Sequence, residues 1–135
     1  MKTTKSILTS LALFVLISVS AAAQSEAKVI AVINEATWCP VCQKNGERAM
    51  AAFKSNNKDG AVKFLANDVS NKETKKKSSE TLKKYGLEQA MASRQATGVA
   101  YFFDAGSGKL INQVSLAKSD KVLADAMTAA KKEAK

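Results

Sequence analysis

The stretch "NEATWCPVCQKNGER", residues 34–48, holds both cysteines of the chain, its one tryptophan and its one proline. The run before it, "KVIAVINEA" (28–36), is continuously apolar and rich in Val and Ile, the pattern of a central strand buried on both faces. That strand delivers the chain straight into Trp38 and Cys39. After Pro40, residues Cys42, Ala49, Met50 and Phe53 recur at helical spacing until the turn formers of "KSNNKDG" (54–60) end the pattern. The local order is strand, cysteine motif, helix.

Downstream, "AVKFLANDV" (61–69) reads as a second apolar strand and "SNKETKKKSSETLKKYG" (70–86) as a polar surface helix. Ser70 with Glu73 three positions on fits a capping box, and Gly86 fits the stop. A short helical turn is expected around Leu87, Ala90 and Met91. Two β-rich runs in "GVAYFFDAGSGKLINQVS" (98–115) flank the Gly106-Ser107-Gly108 turn of a hairpin. The last segment, "SDKVLADAMTAAKKEAK" (119–135), places Val122, Leu123, Ala126, Met127 and Ala130 on one helical stripe, capped by Ser119 or Asp120. The expected class is α/β, a small mixed sheet with helices on both faces in the order β-α-β-α-β-β-α.

The chain opens with "MKTTKSILTSLALFVLISVSAAAQS": two lysines, an apolar run from Leu11 to Ile17, then small residues at Ala21, Ala22 and Ala23. This reads as a secretory signal peptide over residues 1–23, cleaved before Gln24, with an uncleaved anchor as the alternative. Residues 24–135 then form one domain, expected to be periplasmic or secreted and monomeric, without stable membrane insertion. The formal charge of +9 falls to +7 when Lys2 and Lys5 leave. The lysines are scattered or lie on a helix face without interleaved aromatics, which argues against a nucleic-acid platform.

Two cysteines in an exported chain most often form a disulfide, so a structural staple is the first reading. Magnitude argues against it: a four-residue loop gains roughly 2 kcal/mol from closure, against about 4.7 for a loop of a hundred residues. A closed zinc site wants four ligands, and the chain has no third cysteine and no histidine. Such a site within one chain is not expected, although one shared between two chains remains open. Redox chemistry fits the spacing better. At a helix N-terminus, Cys39 would meet unpaired backbone N–H groups and the positive end of the dipole, which favour a thiolate. Pro40 suits the first turn, where its missing N–H costs little. Cys42 lies one turn on, on the same face, so an accessible attacking sulfur and a sheltered resolving sulfur are available for exchange through a mixed disulfide. Trp38 would shield one side of the site or fill the core.

The arrangement of a buried strand, "TWCPVC" and a helix resembles the thioredoxin-like thiol-disulfide oxidoreductases. The second strand, "KKYG", the hairpin "AYFFDAGSGKLI" and the final amphipathic helix follow that family's order, so the resemblance covers nearly all of residues 24–135. It implies exchange with cysteine-containing proteins through Cys39 and Cys42, supported by Trp38, Pro40 and Val41, recharging by a redox partner, and no dissociable cofactor. Reduction is slightly favoured as the direction. The alternative is a binding protein on the same scaffold, holding a protein partner or an inter-chain metal or iron-sulfur site with the cysteines auxiliary. Two positions depart from the family. Its cis-proline facing the active site is replaced by Gly98, after Thr97, which implies a freer loop and a wider approach to Cys39. Its buried acidic position is Ile33 here; Glu35 lies nearby as a possible proton acceptor from Cys42 or as a solvated carboxylate.

Overall fold

The computed structural model describes residues 26–135; the expected signal segment and its cleavage point lie outside them. The Val/Ile run forms β1 (Val29–Glu35), followed by α1 (Pro40–Ser55), β2 (Val62–Asp68), α2 (Lys72–Lys84), α3 (Glu88–Ala92), β3 (Val99–Asp104), β4 (Leu110–Ser115) and α4 (Asp120–Glu133). The strands make one sheet in the order β2-β1-β3-β4. β1 runs parallel to β2 and antiparallel to β3, and β4 returns antiparallel to β3. The expected class and element order hold, with the turn after Gly86 long enough to count as α3.

Strand periodicity divides the core. Val29, Ala31 and Ile33 of β1 join Ala100 and Phe102 of β3 on one face, packed against Phe53 of α1 and Leu123 and Met127 of α4. Ile30 and Val32 join Tyr101 and Phe103 on the other, under Leu82, Leu87 and Met91 from α2 and its sequel. β1, apolar from Val29 through Ile33, is therefore buried on both sides, as the unbroken run predicts. Arg48 of α1 ties the layers at one end: it donates to the Leu116 and Lys118 carbonyls at 2.8 and 2.9 Å and pairs with Asp120.

The start of α2 differs from expectation by one residue. Asn71, not Ser70, is the N-cap, in a reciprocal box with Thr74: the Asn71 side chain accepts from Thr74 N–H at 3.0 Å and Thr74 Oγ1 accepts from Asn71 N–H at 3.1 Å. The Ser70 hydroxyl is engaged elsewhere, donating to Asp68 Oδ1 at 2.5 Å and accepting the Thr37 N–H at 2.8 Å. The other end is as expected. Gly86 takes φ +68°, its N–H reaching Lys83 O while Leu87 N–H reaches Leu82 O, the paired bonds of a Schellman stop. Ser119 caps α4.

Asp104, at the end of β3, collects the hairpin and the end of the chain. Its carboxylate accepts from Lys135 N–H at 2.9 Å and from the N–H and hydroxyl of Ser107 at 2.7 and 2.8 Å. These bonds, Lys135 first, hold its pKa down at about 2. A depressed carboxylate stabilises the fold above its ordinary pKa, and that contribution fades as pH falls from about 4 through about 2. The urea midpoint is expected to drop across this window, and Asp104→Asn to flatten part of the drop. An unchanged acid profile in the variant would mean these bonds do not couple folding to protonation.

Candidate active site

The chain leaves β1 at Glu35 and turns through Ala36, Thr37 and Trp38 before α1 begins. Three bonds hold this turn: Cys39 N–H to Ala36 O at 3.1 Å, Thr37 N–H to Ser70 Oγ, and Gln43 Nε2 to Thr37 O at 2.5 Å. Cys39 is the N-cap of α1, with extended backbone, and its Sγ accepts the Cys42 N–H at 3.2 Å. Pro40 occupies the first helical position, where a missing N–H leaves nothing unpaired. Cys39 and Cys42 are joined as a disulfide with Cα atoms 5.3 Å apart. No acidic residue lies in the first turn of α1, so nothing there offsets the positive end of the helix dipole.

The surroundings of the two sulfurs differ from expectation. Cys39 is 2 % exposed in the disulfide form, while Cys42 is half-buried. The cover over Cys39 comes from the loop before β3. A Cβ placed on Gly98 would lie 3.5 Å from Cys39 Sγ, 2.7 Å from Val41 Cγ1 and 2.8 Å from Val41 Cβ. Gly98 is itself buried, takes φ +72°, donates its N–H to Asn34 O at 2.8 Å and accepts the Leu116 N–H at 2.9 Å. The freer loop and wider approach expected from glycine are therefore corrected. Glycine is required because the backbone passes so close to Val41 and Cys39 in a left-handed conformation.

Trp38 is 58 % exposed, so it does not fill the core; its indole Nε1 donates to Ser70 O at 3.3 Å. Ile33 is buried among the α1 and α4 side chains. The carboxylate on its side of β1 comes two residues later, from Glu35, which pairs in register with Asp68 of β2. Burial raises the Glu35 pKa above the ordinary carboxylate value, and the negative charge of Asp68 raises it further. Asp68 itself is held low by the Ser70 hydroxyl and N–H. Glu35 and Cys42 both line a cavity of about 250 Å³ with Thr37, Gln43, Asp68 and Ser70, and both also line a second of about 330 Å³ beside Met50. Glu35 is thus no strand-end carboxylate lost in solvent.

Thr97, next to Gly98, is half-buried, and neither its N–H nor its carbonyl has a hydrogen-bond partner among the described residues. One functional candidate went unread in the sequence. Asn34 is 1 % exposed; its Nδ2 donates to Arg94 O at 2.7 Å and Ala96 O at 3.1 Å, and its Oδ1 accepts from Asn67 Nδ2 at 2.7 Å. Its carbonyl oxygen, besides receiving Gly98 N–H, lies 3.9 Å from Cys42 Sγ. The available signal was an amide closing an otherwise apolar strand just ahead of the motif. Among the described residues no three Cys, His, Asp or Glu side chains gather in a metal-holding group, and no helix is long and apolar enough to cross a membrane.

A C-x-x-C disulfide caps the helix after the first strand, and a parallel β-α-β unit is joined to an antiparallel hairpin with α1 and α4 on one face and α2 and α3 on the other. The fold is thioredoxin-like. No family model and no curated protein matches the chain. Among solved structures it is similar to Trxlp from Edwardsiella tarda EIB202, at 20 % identity over 74 % of this chain and 82 % of that one, with a TM-score of 0.47. It is also similar to the Malassezia sympodialis thioredoxin Mala s 13, at 20 % identity over 76 % and 78 % of the two chains, with a TM-score of 0.44. Gly98, expected from the sequence to stand where the resembling family has its cis-proline, takes a positive φ, and no peptide bond among the described residues is cis.

Proposed function

We propose that this protein is a thiol-disulfide oxidoreductase acting on cysteine-containing proteins after export, monomeric and working as a reductant. The observation that carries the exchange reading is the pair itself: a disulfide across one helical turn, its first sulfur capping the helix and receiving a backbone N–H. The same N–H and dipole that cap the helix stabilise a Cys39 thiolate once the pair is reduced. That thiolate attacks one sulfur of a substrate disulfide, the substrate S–S bond breaks, and its other sulfur departs as a thiolate that takes up a proton. Cys42, having given up its proton, then attacks Cys39 Sγ, releases the second substrate thiol and restores the protein disulfide. Two electrons pass to the substrate, and a dithiol partner returns them.

The apolar N-terminal run supports export, and the lack of a substrate-binding insert between the elements from β1 to α4 supports reduction. The test is equilibration of the pair against glutathione redox buffers, together with insulin reduction in dithiothreitol. A pair that stays oxidised throughout and leaves insulin untouched overturns the proposal.

Glu35 is the proton acceptor for Cys42 in this scheme, since the two line the same cavities. Below its raised pKa the carboxyl is protonated and cannot accept, so resolution slows on the acid side at a pH higher than for an ordinary glutamate. Glu35→Gln is expected to slow resolution of a preformed mixed disulfide about a hundredfold or more at neutral pH and to erase that acid limb. Asp68→Asn should shift the limb downward while sparing the plateau, because it removes the charge that raises Glu35. Stopped-flow rates across pH decide the matter: a Gln variant with unchanged rate and profile assigns the proton elsewhere.

A further inference from the structure

We propose that Asn34 is a positioning residue that takes over, by a side-chain clamp, the fixing of the substrate-facing loop at residues 94–98. The inference rests on the exchange reading and deepens it. Four bonds converge on this one residue. Its amide nitrogen bridges the carbonyls of Arg94 and Ala96, its carbonyl oxygen receives Gly98 N–H, and its own side-chain oxygen is held by Asn67. Register explains the reach: Asn34 pairs with Asn67 of β2 on one side and with Val99 of β3 on the other, so it stands between both neighbours at the end where the cysteines sit.

Two carbonyls of one loop, two residues apart, are thereby drawn toward β1. That holds the intervening backbone in a fixed path and leaves the N–H and carbonyl of Thr97 without a hydrogen-bond partner among the described residues, one residue before Gly98, whose Cβ position lies 3.5 Å from Cys39 Sγ. Those groups can pair with the extended backbone flanking a substrate cysteine, as a strand adds to an exposed edge. Asn34 touches no substrate. Its effect is to keep the Thr97 edge ordered before a substrate arrives, so the entropy of fixing the loop is not charged to binding.

The prediction is a split between substrates with and without a peptide backbone. Asn34→Ala leaves Cys39, Cys42 and Glu35 in place but frees the loop. It is expected to raise the KM for insulin about tenfold, equivalent to about 1.4 kcal/mol, with kcat within about twofold of wild type. The rate with hydroxyethyl disulfide, which has no backbone to dock, should also stay within about twofold. Because Asn34 is fully buried, Asn67→Ala serves as a milder second variant: it removes the hold on Asn34 Oδ1 while leaving both donors to the loop. It should show the same split at smaller amplitude, also when Asn34→Ala does not fold. Folded variants with an unchanged insulin KM, or with both substrates slowed in parallel, overturn the assignment to Asn34 alone. A wild-type protein inert toward both disulfides overturns the exchange reading, and the clamp's role with it.

Discussion

Replacing Cys39 with serine is expected to abolish disulfide exchange, lowering insulin reduction by roughly a thousandfold or more, because no other thiol in the chain is placed to attack. Cys42→Ser should be equally inactive in turnover but should accumulate mixed disulfides with protein substrates, while Cys39→Ser traps none. The asymmetry follows from the helix N-terminus. Cys39 Sγ receives the Cys42 N–H, a bond that favours the thiolate, whereas Cys42 Sγ lies toward the Asn34 carbonyl oxygen, which disfavours one. Near pH 6 a free thiol of ordinary pKa, about 8.5, is almost wholly protonated, so iodoacetamide should find Cys39 first in the reduced protein. The low exposure of Cys39 in the disulfide form makes this a demanding test, because reactivity must come from thiolate character rather than openness. Cys42 alkylated as fast as Cys39 would end the proposed division of labour.

Gly98→Ala is expected to destabilise the protein by about 2–5 kcal/mol, and Gly98→Pro by more. Alanine at φ +72° carries about 1–2 kcal/mol of left-handed strain, and its methyl would enter Val41, an overpacking worth about 1–3 kcal/mol. Proline is incompatible on two further counts. Its ring holds φ near −65°, and it removes the N–H that bonds Asn34 O at 2.8 Å. Installing a proline at this position should therefore not improve exchange, because the surrounding backbone is built for glycine. Val41→Gly in the Gly98→Ala background removes both close contacts and should recover the packing part of the loss while the φ strain stays. Chemical denaturation of the four proteins measures both parts. A Gly98→Ala protein as stable as wild type would mean that the loop relaxes away from Val41.

The order of elements, the Schellman stop at Gly86, the caps near Ser119 and Cys39, and the pairing of the two sulfurs were all legible in the sequence. Each is set by neighbours within about one turn of helix or by alternation along one strand, so the cause lies inside the segment read. Cys39, Pro40 and Cys42 belong to this class: their spacing and the helix they open suffice to put two sulfurs on one face. Other features depended on partners far along the chain. Ser70 reads as a cap until Thr37 and Asp68 claim its hydroxyl and leave Asn71 to start α2. Glu35 reads as a solvated strand end until parallel pairing sets Asp68 beside it and the motif turn encloses it with Cys42. Gly98 reads as freedom until Val41, from a different element, comes within contact of where its side chain would stand. Asn34 carries no sequence signature of a clamp, since its partners at Asn67, Arg94 and Ala96 are brought to it only when β2 and β3 pair on either side of β1. Local chemistry thus determined where the cysteines stand. The environment that sets proton affinity and access was decided by the sheet, because desolvation, charge repulsion and steric contact act through space and not along the chain.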